Sequence, residues 1–121
     1  MIKERYVSHE VAKLLNNKGF NEPCVGYYST EGKLKLLTYA ETNSEWFKNT
    51  SAPTQQMACD WLIENHKVHI DVSFVSGKGF VGSICDISNP DNSLSMLDTK
   101  CYPNIEQVYN EALKYVLTNL V

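Results

Sequence analysis

The chain has 121 residues, 43% of them hydrophobic and 21% charged, which excludes a disordered tract, a collagen-like repeat and a coiled-coil rod. Eleven basic against fourteen acidic residues leave a net charge of −3, the wrong balance for a protein that binds nucleic acid by neutralising phosphates. Apolar runs fall short of the roughly 18 residues a membrane helix needs, and Met1-Ile2-Lys3-Glu4-Arg5-Tyr6 holds no apolar core for a secretory signal. A soluble cytoplasmic protein folded as a single domain over 1–121 is expected.

The first predicted element is a helix from Ser8 to Lys18. Ser8 can cap its first turn, and Val7, Val11, Leu14 and Leu15 share one face. Gly19 can close that helix in a left-handed conformation before the apolar Phe20. A hairpin follows, with Cys24–Ser29 and Lys33–Tyr39 flanking Thr30-Glu31-Gly32. Facing Thr30 with Lys33 sets Tyr27 opposite Leu36 and Val25 opposite Thr38. The segment 40–52 is polar apart from Trp46 and Phe47 and reads as a long loop.

Pro53 fits the first turn of a second helix, where its missing N–H costs nothing. Met57, Ala58, Trp61 and Leu62 form its apolar stripe, and it should end near Asn65. Val68 to Val75 alternates strictly: Val68, Ile70, Val72 and Phe74 point one way, His69, Asp71 and Ser73 the other. Gly77-Lys78 suits a two-residue turn into a returning strand, Phe80–Ile87. Pairing Ser76 with Gly79 then sets Phe74 opposite Val81, Ile70 opposite Cys85 and His69 opposite Asp86. Ser88–Lys100 reads as a second long loop. In the last helix, entered at Pro103, Ile105, Val108, Tyr109, Ala112, Leu113, Val116, Leu117 and Leu120 recur at three- and four-residue steps. The order α-β-β-α-β-β-α predicts an α+β two-layer sandwich: a four-stranded antiparallel sheet from two hairpins, with the helices on one face.

Three segments carry a resemblance: Val11-Ala12-Lys13-Leu14-Leu15 through Lys18-Gly19-Phe20; Ala52-Pro53-Thr54-Gln55-Gln56 with Trp61-Leu62; and Tyr109-Asn110-Glu111-Ala112-Leu113. On these the chain resembles a group of small uncharacterised proteins encoded by phages, prophages and mobile elements of Bacteroidetes. The resemblance implies a phage or mobile-element origin and brings no activity or site residue with it.

Chemistry-bearing residues are sparse. Cys24, Cys59, Cys85 and Cys101 form no CxxC pair and read as small buried apolar residues in a reducing compartment. His66 and His69 lie three apart, one at a helix end and one in a strand, so a shared metal is not expected. Gly77-Lys78-Gly79 joins two strands rather than opening a helix and lacks the rest of a phosphate loop. Arg5 is the single arginine beside ten lysines, which further counts against base reading. The polar strand face offers a carboxylate beside a histidine, His69 with Asp86, and Asp71 in the same strand, the arrangement of a general base or of an ordinary cross-strand pair. Trp46 and Phe47 are two large aromatics in a polar loop, either folded back on the core or exposed as a binding anchor.

The leading expectation is a non-enzymatic accessory protein that works through protein–protein contact, with a protein partner or a second copy of itself, and with no cofactor. The alternatives are a nucleic-acid-associated protein of a mobile element, or a small ligand-binding or enzymatic domain using His69 and Asp86.

Overall fold

Ser8 begins the first helix as its spacing predicts: its Oγ accepts a hydrogen bond from the Val11 N–H at 3.2 Å and caps α1 (His9–Asn17). In the computed structural model, which describes residues 3–46, 48–89, 93–94 and 100–121, the chain is α+β and divides into two compact units, Met1–Ala58 and Cys59–Val121. At the end of α1 the Phe20 N–H bonds to the Leu15 carbonyl (3.0 Å) and the Gly19 N–H to that of Asn16 (3.1 Å). This paired closure seats Phe20, 1% exposed, beneath the helix. Val11, Ala12 and Leu15 are buried with it.

The first hairpin joins β1 (Cys24–Tyr28) to β2 (Leu34–Glu41). Its turn is one residue longer than expected: the Ser29 N–H bonds to the Lys33 carbonyl (3.0 Å), and the Gly32 N–H to that of Ser29 (2.9 Å). Gly32 sits at φ +81°, where a side chain would be strained. Tyr27 therefore faces Lys35 and Gly26 faces Leu36, one residue from the expected register. The register shifts again between Gly26 and Cys24, where β2 bulges. The segment expected to be a loop is structured: Asn43–Glu45 form a 3-10 turn, and β3 (Thr50–Ser51) adds to the other side of β1. The strand order is β2-β1-β3.

Pro53 does not enter the next helix. Its carbonyl accepts from the Val7 N–H (3.0 Å), and Thr54 takes the capping place, its Oγ1 accepting from the Met57 N–H at 3.2 Å. Proline's carbonyl remains a free acceptor one residue before a cap, so it can hold the N-terminal segment there. The helix is α2 (Gln55–His66), with Ala58, Trp61 and Leu62 buried.

In the second unit β4 (Val68–Val75) pairs with β5 (Gly79–Asp86) along its whole length. Here too the turn holds three residues: Val75 faces Gly79, and the Lys78 N–H bonds to the Val75 carbonyl at 3.0 Å. Ile70 consequently faces Ile84, and Phe74 faces Phe80. Ile70 and Ile84 are 4% and 2% exposed. The reading of β4's inward face holds at Ile70 but fails at Phe74, which is 65% exposed next to the turn, while that of β5 is inverted. The cause lies in β5, which carries apolar residues on both faces (Phe80 and Ile84 on one, Val81 and Cys85 on the other), so either register offers β4 apolar partners. The turn decides. β6 (Ser93–Leu94) pairs with β5, giving the order β4-β5-β6.

α3 (Ile105–Asn119) starts at Asn104, whose Oδ1 accepts from the Gln107 N–H at 2.9 Å. It packs on β4 and β5 and buries Val108, Ala112, Leu113, Val116 and Leu117, the stripe expected from its periodicity. The expected four-stranded sheet is replaced by two sheets. Each hairpin takes a short strand from a segment read as loop, Thr50–Ser51 in one unit and Ser93–Leu94 in the other, and the two hairpins do not pair with each other among the described residues.

Candidate functional site

Alternation along β4 leaves His69, Asp71 and Ser73 exposed on the face opposite Ile70. The register sets His69 opposite Cys85, Asp71 opposite Ser83, and Asp86 opposite Val68. Directly opposed residues share a face of the sheet, so the Asp86 side chain lies on the Val68 side and His69 on the other. The expected His69–Asp86 pair does not form. Asp86 serves the chain instead: its Oδ1 accepts from the Ser88 N–H (3.0 Å) and the Ser88 hydroxyl (2.6 Å), a side-chain turn that ends β5.

The backbone of β4 has a free side. Phe80 exchanges both of its hydrogen bonds with Tyr102, each at 2.8 Å, so its N–H and C=O point away from β4. Bonding direction alternates along a strand, which makes Phe74–Phe80, Val72–Gly82, Ile70–Ile84 and Val68–Asp86 the non-hydrogen-bonded pairs of this ladder. The Ile87 N–H to Lys67 carbonyl bond (2.9 Å) falls in the opposite phase, as it must. On β4, then, the backbone groups of Val68, Ile70, Val72 and Phe74 face outward, on the side where no strand pairs among the described residues.

Trp46 is folded back. Its indole Nε1–H donates to Ser51 Oγ at 2.8 Å, and its ring lies 4.7 Å from that of Tyr27. The turn that carries it is tied down on several sides: Thr42 N–H to Glu45 Oε1 (2.9 Å), Asn43 Nδ2 to the Phe20 carbonyl (2.8 Å), and Ser51 N–H to Asn43 Oδ1 (2.8 Å). A half-buried indole with its one donor satisfied is a packing residue of its own unit. Phe47 lies outside the described residues.

The four cysteines are free. Burial, helped by the neighbouring Glu22 and Asp60 carboxylates, pushes the Cys24 thiol up to about 11 and the Cys59 thiol up to about 12, so neither is a thiolate near neutral pH. Cys85 and Cys101 are half-buried rather than buried as expected. His66 ends α2 with its ring 5.0 Å from Trp61, and among the described residues no three His, Cys, Asp or Glu side chains gather as metal ligands.

Two features escaped the sequence reading. One is an open cleft of about 260 Å³ lined by Lys3, Glu4, Arg5, Thr54, Gln55 and Gln56. It forms because the Gln55 N–H bonds to the Arg5 carbonyl (2.7 Å) and Arg5 Nε to Gln55 Oε1 (3.3 Å), a long-range pairing that leaves no local signal. The other is the apolar exposure of the first hairpin, where Leu36 and Tyr39 are 59% and 60% exposed, with Leu34 and Val25 near 40%. Its signal was available: β2 holds apolar residues at both even and odd positions, so one buried face could not take them all. No helix among the described residues is long and apolar enough to cross a membrane. Comparison of the chain with protein-family models, with curated proteins and with solved structures returned no match.

Proposed function

We propose that this protein acts through contact with another protein, as an accessory factor of phage or mobile-element origin rather than as a catalyst. The observation that supports this most is the outward apolar side chains of the first hairpin, Leu36 and Tyr39 above all. Large apolar groups left in water cost free energy that a partner surface recovers, and their grouping on one hairpin marks a contact area. The acidic net charge of −3 favours a protein partner over a nucleic acid. The enzymatic alternative loses its premise, because His69 and Asp86 project from opposite faces of their sheet.

The test is affinity capture with the wild-type chain and with Leu36→Lys/Tyr39→Lys, both checked for folding by circular dichroism. One protein should be retained in stoichiometric amount by the wild type and lost by the variant. Equal capture by both, or no specific capture by either, would remove this reading.

A further inference from the structure

We propose that two copies of this chain pair through β4, antiparallel about a two-fold axis at Ile70, with His69 of each copy opposite Asp71 of the other.

The strand itself argues for pairing. β4 is an eight-residue edge strand in continuous register with β5. Edge strands that must stay single carry lysines, prolines or bulges, and Val68 to Val75 has none of these. The other long edge strand, β2, is blunted in that way: it carries Lys35 next to Lys33, and its regular ladder runs only from Leu34 to Leu36 before the bulge. On β4 the outward N–H and C=O groups of Val68, Ile70 and Val72 form an unbroken row ready to pair.

Charge then selects the partner and the register. Because the outward groups sit on even-numbered residues, an antiparallel copy must face even with even. An axis at Asp71 would set two Asp71 carboxylates directly against each other. An axis at Val72 would face Asp71 with Ser73 and His69 with Val75, neutralising nothing. An axis at His69 would oppose the two imidazoles and would need Lys67, which leaves the strand at φ +56°. The axis at Ile70 alone places His69 against Asp71 twice, by symmetry. Those are non-hydrogen-bonded positions, where opposed Cα atoms approach to about 4.5 Å and side chains are closest. An imidazole N–H donates to a carboxylate whether the ring is neutral or charged. On the other face Ile70 meets Ile70 and Val68 meets Val72, all β-branched residues suited to cross-strand packing. Both His69 and Asp71 are exposed, and neither has an ion-pair partner among the described residues.

This pairing goes beyond the contact proposed for the first hairpin and uses none of its residues. Sedimentation of the full chain over a concentration series tests it. The wild type should reach the mass of a dimer, and His69→Asp, which sets two like-charge pairs across the axis, should weaken dimerisation by at least about tenfold. The exchanged variant, His69→Asp with Asp71→His, has the wild-type composition and restores both opposite pairs, so it should regain the dimer. Circular dichroism verifies that all three chains are folded. A wild type that stays monomeric, a dimer indifferent to His69→Asp, or an exchanged variant that is not rescued would each overturn the pairing. A monomer that still captures a partner through Leu36 and Tyr39 would overturn it while leaving the contact proposal standing.

Discussion

Phe80 and Tyr102 exchange both of their backbone hydrogen bonds, N–H to C=O in each direction at 2.8 Å. This bridge ties the chain just before α3 to the start of β5, and it sets the phase that leaves alternate backbone groups of β4 facing outward.

The bridge depends on Gly79, which sits at φ +112° directly against Tyr102. A Cβ there would collide with the Tyr102 carbonyl, and the backbone is one that L side chains rarely adopt. Gly79→Ala should therefore cost about 2–3 kcal/mol, the two strains acting together. Urea unfolding measures it; a loss below about 0.5 kcal/mol would mean that the bridge can shift without cost.

Trp46 and Ser51 give a second expectation. Ser51 is fully buried and its hydroxyl receives the indole N–H. Trp46→Phe keeps a ring beside Tyr27 but removes that donor, and should destabilise the chain by about 1–2 kcal/mol. Adding Ser51→Ala should then cost little more, because the orphaned hydroxyl is removed with it. Strictly additive losses in this double-mutant cycle would show that the hydrogen bond carries no coupling.

What the sequence made legible was local. The Ser8 cap, the α3 stripe and the alternation of β4 each follow from spacing within a few residues; the first two are present, and the alternation holds from Val68 to Ser73 before breaking at the exposed Phe74. Register was not legible, since Val81 and Cys85 made the wrong face of β5 look as apolar as Phe80 and Ile84. That single-residue slip also produced the supposed His69–Asp86 pair. Exposure of His69 and Asp71 was readable from alternation, whereas the company they keep depended on the turn. Strands of two residues, such as Thr50–Ser51, have no period to read, and Trp46 was placed by tertiary contacts, its indole N–H on Ser51 and its ring on the distant Tyr27.

The thiols predict a pH dependence. Cys24 and Cys59 rise from an ordinary value near 9 to about 11 and about 12 on folding, so the folded chain holds their protons more tightly than the unfolded chain. Their contribution to stability is complete below about pH 9 and falls as pH rises toward 11 and 12. The urea midpoint of the wild type should decline across that window more steeply than that of Cys59→Ala. Near pH 8, a thiol reagent should modify Cys24 and Cys59 only on unfolding. Rapid labelling of either in the native chain would contradict their burial.

The most direct test of pairing through β4 is amide hydrogen exchange, residue by residue, as protein concentration is raised. The amides of His69, Asp71 and Ser73 bond within the ladder to β5 and should be protected at every concentration. Those of Val68, Ile70 and Val72 face outward and should gain protection only as copies associate, while that of Phe74, beyond the overlap of an axis at Ile70, should not. If Val68, Ile70 and Val72 exchange freely at all concentrations, β4 does not pair with a second copy; if Phe74 is protected along with Ile70, the axis is not at Ile70.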